Sequence, residues 1–284
     1  MSDTTAARPI QVASSPAPKR SRFDVRRQPG FGAVALFCLI MLYGPILVLI
    51  AYSFNKNEIV TIWTGFSWRW FVNAVANPEI RDAALLSLRV AATASVCATT
   101  FATMAALATT RVKPYRGLPL VYTIINQPLM VPEIVTGIAT LVFFALIKQA
   151  TGVYGLGYLI TAHIVFCIPF AYMPIRARLE DMDLTYENAA ADLYATPWQV
   201  FRRITFPMMI PGIIGGLMLS FVISMDDVVI TVLVSGPGEE TLPLYMIGQL
   251  RRGVTPEINA MSTLFLTASI LLVSAFFLVT RKKA

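Results

Sequence analysis

The sequence predicts an all-α integral membrane protein with about six transmembrane helices. Only 14% of its 284 residues are charged and 56% are apolar, whereas a soluble globular domain carries roughly a quarter charged residues. So few charges could not cover a globule of this size, and lipid must therefore solvate much of the surface. Runs of about twenty apolar residues, long enough to cross a bilayer, recur near residues 31–54, 83–109, 118–147, 156–175, 211–234 and 259–280.

The segment before the first run differs in composition from the rest. Residues 1–30 are rich in Ala, Ser, Pro and Arg and show no hydrophobic periodicity, which is typical of disorder. The run that follows is longer than the apolar region of a signal peptide and lacks an obvious small-residue cleavage site. We therefore expect a disordered basic cytoplasmic tail over residues 1–30, and a transmembrane domain over residues 31–284 that begins with an uncleaved helix.

Basic residues predict the orientation. The tail, the second and fourth loops and the C-terminus together carry sixteen Lys and Arg residues, against six in the other loops. Because loops rich in Lys and Arg stay in the cytoplasm, we expect both termini inside. This arrangement requires an even number of spans, and six fits.

The third run and the fourth loop each predict a local structural feature. In the third run, Pro128 and Pro132 flank Gln127 and Glu133, which predicts a broken helix at that level. The fourth loop, residues 176–210, is the longest cytoplasmic connection and mixes polar and apolar residues, so we expect short helices.

Two of these short helices can be located within the fourth loop. Residues 187–193 are good helix formers, and Thr196 followed by Pro197 is typical of a second helix start. The two helices should meet at Tyr194–Ala195. A small-residue helix on this face could insert into a groove of a partner, or it could merely pack on its own bundle.

Residue types that catalysis or metal binding would need are scarce. Cys38, Cys97 and Cys167 lie in apolar runs without CxxC spacing, which is typical of small core residues. His163 is the single histidine, so we expect no metal site. The sequence lacks a G-x-x-x-x-G-K-[ST] loop for ATP phosphates and any nucleophile–base pattern. We therefore predict no catalytic residue, no bound cofactor and no ATP hydrolysis by this chain.

The fourth loop resembles the Glu-Ala-Ala loop of binding-protein-dependent ABC importer permeases. In that family Glu-Ala-Ala is followed by three residues, a Gly, nine more residues and then Ile-x-Leu-Pro. The matching positions here are Asn188-Ala189-Ala190, Tyr194, Ile204, Phe206 and Pro207. The resemblance assigns coupling to an ATPase to Glu187, Asn188, Ala189, Ala190, Asp192, Tyr194, Ile204 and Pro207.

Three positions depart from the family pattern. Asn188 replaces the Glu, although Glu187 is adjacent, and Phe206 replaces the Leu. Tyr194 replaces the Gly, which normally tolerates a positive φ between the two helices. We therefore expect backbone strain at Tyr194.

A second stretch narrows the resemblance. The residues from Ser220 through Asp226-Asp227 to Thr241-Leu242-Pro243 are similar to the second permease subunit of putrescine and spermidine importers. The resemblance implies a type I ABC importer permease architecture and a multi-pass position in the bacterial inner membrane. It implies a second permease, an ATPase dimer that binds ATP and Mg, a periplasmic solute-binding protein and a polyamine substrate as partners, with no nucleic acid.

The alternative functions are import of another organic solute, a membrane scaffold and an intramembrane enzyme. Importers of opines and of other organic solutes look alike, so the solute could belong to those classes. A membrane scaffold without transport would not need the acidic residues and the patterned loop together. An intramembrane enzyme would need a metal or nucleophilic cluster that the sequence does not supply.

Three acidic residues inside the runs support a cationic substrate. A carboxylate at mid-membrane costs roughly 2.5–3.5 kcal/mol, and such residues usually face a cavity or a partner charge. Glu133 and Asp226 are each about fifteen residues from the cytoplasmic ends of their runs, or roughly 22 Å deep, and no Lys or Arg lies at that depth. We expect Asp226 to face a polyammonium pathway with Glu133, and Asp227 to face the other permease; protonated or partner-bonded structural acids are the alternative.

Overall fold

The computed structural model describes residues 31–253 and 255–281. The predicted tail, residues 1–30, lies outside the described residues. The chain divides into two units between Leu47 and Val48. In the first unit the described residues, 31–47, form a single helical stretch.

The described residues are almost entirely helical, with one isolated antiparallel bridge between Asn55 and Phe66. The helices are α1 Phe31–Ser53, α2 Arg69–Ala76, α3 Pro78–Thr110, α4 Leu118–Met130, α5 Glu133–Thr151, α6 Leu156–Glu180, α7 Thr185–Asp192, α8 Pro197–Val200, α9 Phe206–Asp226, α10 Val229–Val234, α11 Leu242–Arg252 and α12 Pro256–Arg281. A π-helical turn, Phe201–Thr205, joins α8 to α9 without an interruption.

Among the described residues, six helical segments are long and apolar enough to cross a membrane, which confirms the predicted number. These are Gly32–Ser53, Pro78–Thr110, Glu133–Thr151, Leu156–Glu180, Pro197–Asp226 and Pro256–Ala275. The predicted third run is divided between α4 and α5, as its two prolines indicated. The predicted fifth run is also divided, between α9 and α10, and this second interruption was not predicted.

Helices α3, α6 and α9 pack closely together and form the centre of the second unit. The buried face of α3 is built from alanines at helical spacing, including Ala91, Ala94, Ala98, Ala102 and Ala106. A Cβ atom added to Gly216 on α9 would lie 2.7 Å from the backbone oxygen of Ala171 on α6. Small residues thus let these helices approach closely, which is the usual way helices associate in lipid.

Three groups of contacts attach other helices of the second unit to this centre. At the end where α3 begins, Asn77 caps α3 through the backbone N–H of Glu79, and Glu79 accepts a hydrogen bond from Tyr245 of α11. On one side, α10 packs between α5 and α6, where Phe144, Phe166 and Ile230 share an apolar cluster. At the end where α3 finishes, α7 and α8 form the fourth loop.

Candidate functional site

The break between α4 and α5 is a short extended segment. Val131 has φ −92° and ψ 137°, and Pro132 has φ −52° and ψ 132°. Proline has no N–H to donate and disfavours a helical conformation in the residue before it. The predicted break is therefore confirmed, and α5 begins at Glu133, which is half-buried.

The break between α9 and α10 is organised by the carboxylate of Asp227. The backbone of Asp227 is extended, with φ −65° and ψ 133°. Its side chain accepts hydrogen bonds from the backbone N–H groups of Ile230 at 3.3 Å and Thr231 at 3.0 Å, and from the Thr231 hydroxyl at 3.0 Å. These N–H groups belong to the first turn of α10 and have no partner within that helix. Asp227 thus replaces the helical bonds that the break removes.

His163 of α6 lies beside this carboxylate and is completely buried. Its Nδ1 is 2.8 Å from the hydroxyl of Ser224, and its Nε2 is 3.1 Å from the hydroxyl of Thr231. Nε2 is also 3.4 Å from Oδ2 of Asp227. His163 was expected to be isolated, and its place in this cluster was not predicted.

The spacing of polar residues in the sequence could have indicated this cluster. His163 and Cys167 are four residues apart on α6, and Ser220 and Ser224 are four residues apart on α9. Polar residues at that spacing lie on one helix face, and two such stripes in apolar runs predict helices that hydrogen-bond to each other. In the structure Cys167 donates to the backbone oxygen of Ser220 at 3.5 Å.

The structure brings Glu133 and Asp227 together. The side chain of Glu133, at the start of α5, lies close enough to the carboxyl of Asp227 for the two groups to interact, although they belong to different runs. One turn along α5, the buried hydroxyl oxygen of Thr136 has no hydrogen-bond partner in the part of the chain that the structure describes. Two carboxyls and a free hydroxyl oxygen therefore lie close to the two helix breaks.

Asp226 points in a different direction. It is exposed and lines an apolar groove of about 450 Å³ together with Phe221 of α9 and Phe265 of α12. The Asp227 side chain, which was expected to face the other permease, is only 1% exposed and is enclosed by its own chain. Asp226 is therefore the exposed member of this pair of aspartates.

The fourth loop contains the two predicted short helices, α7 and α8. Tyr194 between them has φ 59° and is the one non-glycine residue with positive φ among the described residues, so the expected strain is present. Thr196 caps α8 in a reciprocal arrangement with Gln199, which confirms the predicted helix start. At the start of α7, Asp183 accepts hydrogen bonds from the hydroxyl and backbone N–H of Thr185, which lower the pKa of its carboxyl.

Glu187 attaches this loop to the transmembrane helices. Its Oε1 accepts hydrogen bonds from Nε of Arg111 at 3.1 Å and from the hydroxyl of Thr205 at 2.8 Å. Arg111 follows α3 and Thr205 belongs to the π-helical turn, and only 17% of the Glu187 side chain is exposed. Glu187 therefore points toward its own bundle.

The other coupling candidates form the outer surface of the loop. Tyr194 is 96% exposed, and its neighbour Leu193, which was not a predicted coupling residue, is 82% exposed. Of the remaining candidates, Asn188, Ala189, Asp192 and Pro207 are exposed, and Ala190 and Ile204 are half-buried. The exposed ring of Trp198 stacks on Phe201 and extends this surface. An aromatic and apolar patch of this kind is typical of a protein–protein contact.

Comparison with known proteins gives matches along most of the chain. Residues 98–281 match the family model described as the binding-protein-dependent transport system inner membrane component. The putrescine transport system permease protein PotI of Escherichia coli strain K12 is 39% identical over 251 residues, which cover 87% of this chain and 89% of that protein. The spermidine/putrescine transport system permease protein PotC of the same strain is 36% identical over 242 residues, covering 85% and 90%.

Solved structures share the fold. A bacterial ABC transporter involved in the import of the acidic polysaccharide alginate matches with a TM-score of 0.71 and 16% identity, covering 88% of this chain and 93% of that chain. An amino acid ABC transporter with histidines matches with a TM-score of 0.58 and 15% identity, covering 77% and 100%.

These matches confirm the family resemblance, the type I importer permease architecture and the inner-membrane location. They also confirm that the chain is a transport component rather than an enzyme. The chain belongs to the family of binding-protein-dependent transport system inner membrane components.

Proposed function

We propose that this chain and a second permease form the translocation path for a polyamine, putrescine or spermidine, in an ATP-driven importer. The observation that carries the proposal is the meeting of Glu133 and Asp227 at two helix breaks. No Lys or Arg side chain forms an ion pair with either carboxyl, or with Asp226, anywhere in the described ranges. The names of the relatives PotI and PotC support the same solute class.

The acidic groups of this site have no permanent positive charge as a partner in the described part of the chain. Acidic groups inside a membrane protein usually face a cavity or pair with an opposite charge. Here the nearest basic group to Asp227 is His163, which makes its hydrogen bonds to neutral hydroxyls. A passing ammonium group would supply the absent partner and could also donate to the free oxygen of Thr136. Asp226, exposed and unpaired, would serve a second ammonium group from the neighbouring face.

We propose that the fourth loop transmits the energy of ATP hydrolysis. An ATPase dimer, which would bind ATP and Mg, would receive the exposed patch of Leu193, Tyr194 and Trp198. Glu187 would carry the movement into the bundle through Arg111 and Thr205. A periplasmic binding protein would deliver the solute at the opposite end. In this arrangement the loop, the N-terminal tail and the C-terminus are all cytoplasmic.

Uptake by the assembled complex tests this function. The chain would be reconstituted in proteoliposomes with its second permease and its ATPase, and supplied with the binding protein. We expect ATP-dependent accumulation of labelled putrescine or spermidine, and none of a labelled opine. Accumulation of the opine without either polyamine would assign the complex to a different solute class.

A further inference from the structure

We propose that His163 is a positioning residue for this pathway. As a neutral imidazole with its proton on Nε2, it fixes the carboxylate of Asp227 through the hydroxyl of Thr231. It thereby determines where the ammonium-binding carboxyls of Asp227 and Glu133 stand. This inference rests on the proposed transport of an organic cation.

The hydrogen-bond distances define the direction of each bond. The Thr231 hydroxyl has one hydrogen, and its nearest carboxylate acceptor is Oδ2 of Asp227 at 3.0 Å. The alternative acceptor, the backbone oxygen of Asp227, is farther away at 3.4 Å. With that hydrogen used, the Thr231 oxygen must accept, and the donor 3.1 Å away is Nε2–H of His163.

The other ring nitrogen completes the chain. A neutral imidazole that is protonated on Nε2 has an acceptor at Nδ1, and the Ser224 hydroxyl lies 2.8 Å from Nδ1. The bonds then run in one direction, from Ser224 to His163, from His163 to Thr231 and from Thr231 to Asp227. Each donor is used once, and every member is buried.

The position of His163 explains why such a chain would set the site geometry. Ser224 is in the last turn of α9 and Thr231 is in the first turn of α10, so His163 joins both sides of the break to α6. Helix α6 belongs to the tightly packed centre and provides a fixed reference. The His163 imidazole contacts both sides of the break at once.

Helix α10 also packs closely against α5, so the position of α10 affects the position of α5. A Cβ atom added to Gly137 of α5 would lie 2.6 Å from the side chain of Leu233 on α10. Gly137 is one turn from Glu133, so the closely packed contact links the position of α10 to that of Glu133. A shift of α10 would therefore move Asp227 and Glu133 together.

Uptake kinetics in the reconstituted complex test the proposal, with labelled putrescine as the probe. His163→Phe keeps a planar ring but removes both nitrogens, and we expect KM to rise about tenfold, the effect of losing one charge-assisted hydrogen bond. His163→Gln keeps an N–H directed at Thr231 and should stay within about threefold of the wild type. Thr231→Val removes the intermediate hydroxyl and should reproduce the rise of about tenfold.

The double variant separates positioning from general packing. If His163 acts through Thr231, adding His163→Phe to Thr231→Val should change KM by less than about twofold. Tyr172→Phe, farther along α6, is equally buried and removes a hydrogen bond to the Thr109 hydroxyl outside this cluster; it is the matched control and should leave KM unchanged. Thermal unfolding and subunit stoichiometry are measured for every variant.

Failure of the positioning role can be distinguished from failure of the proposed function. Full additivity of the two substitutions, or an unchanged KM in an assembled His163→Phe complex, would overturn the positioning role. Where His163→Phe does not assemble, Thr231→Val and His163→Gln decide, and an unchanged KM for Thr231→Val overturns the proposal. A wild-type complex that carries no polyamine would instead refute the proposed function.

Discussion

Two carboxylates in this protein are stabilised in opposite ways. Glu187, in the fourth loop, has a permanent cation, Arg111, at 3.1 Å. Asp227, between α9 and α10, has two backbone N–H groups, a hydroxyl and an imidazole, but no Lys or Arg among the described residues. A carboxylate whose charge is already neutralised serves as a structural joint. A carboxylate that is hydrogen-bonded but not neutralised keeps its attraction for a mobile cation.

The largest effect should come from Asp227, because three donors depend on it. Asp227→Leu should destabilise the complex by about 3 kcal/mol or more, since each buried donor without an acceptor costs about 1–3 kcal/mol. The yield of assembled complex and its thermal unfolding temperature measure this. Asp226→Leu, at an exposed neighbour without a hydrogen bond, is the control and should assemble normally. Equal loss in both variants would remove the distinction between these aspartates.

The Arg111–Glu187 pair should be the next most sensitive feature. Arg111→Met leaves Glu187 with the Thr205 hydroxyl alone and should cost about 1.5–3 kcal/mol, the usual value of a hydrogen bond to a charged group. The measurement is thermal unfolding together with ATP-driven uptake. Arg111→Met combined with Glu187→Gln should recover part of the loss, since no unpaired charge remains. If the double variant is less stable than Arg111→Met alone, Glu187 is not acting as the partner of Arg111.

Neutralising Glu133 tests the cation attraction directly. Glu133→Gln keeps the shape but removes the charge, and uptake should fall by about tenfold while assembly is unchanged. Glu58→Gln, at an exposed surface pair with Arg69, is the matched control. Normal putrescine and spermidine uptake by a complex with both Glu133→Gln and Asp226→Asn would contradict the site assignment and leave the family assignment intact.

The smallest expected effect is at Tyr194. Tyr194→Gly should relieve about 1 kcal/mol of strain, because glycine adopts a positive φ without a steric penalty. The isolated permease pair should then unfold at a slightly higher temperature. Loss of the exposed ring should at the same time reduce co-purification of the ATPase. A lower unfolding temperature would mean that the ring contributes more to its own chain than its exposure indicates.

The parts of the fold that were predicted share a local cause. Span number follows from lengths of apolar sequence, and the break before Glu133 follows from Pro132, whose effect acts on its own backbone. The start of α8 follows from Thr196 and Pro197 for the same reason. The positive φ of Tyr194 was predicted from a position in a resembling family where glycine is usual.

The parts that were not predicted depend on contacts between distant segments. The break at Asp227 has no proline or glycine. The Asp227 carboxylate replaces the missing helical bonds, and His163, 64 positions earlier in the chain, bonds to hydroxyls on both sides of the break. The enclosure of the Asp227 side chain was not predicted for the same reason. Helical geometry alone shows that neighbouring residues point apart, but it does not say which one the bundle encloses.

The π-helical turn Phe201–Thr205 has a mechanical consequence. Because the turn does not interrupt the helix, residues 197–226 form one continuous rod of about 45 Å. The exposed Trp198 is at one end of this rod and Asp226 is at the other. A movement of the fourth loop would therefore reach the acidic site through one uninterrupted helical segment, with no intervening loop to absorb it.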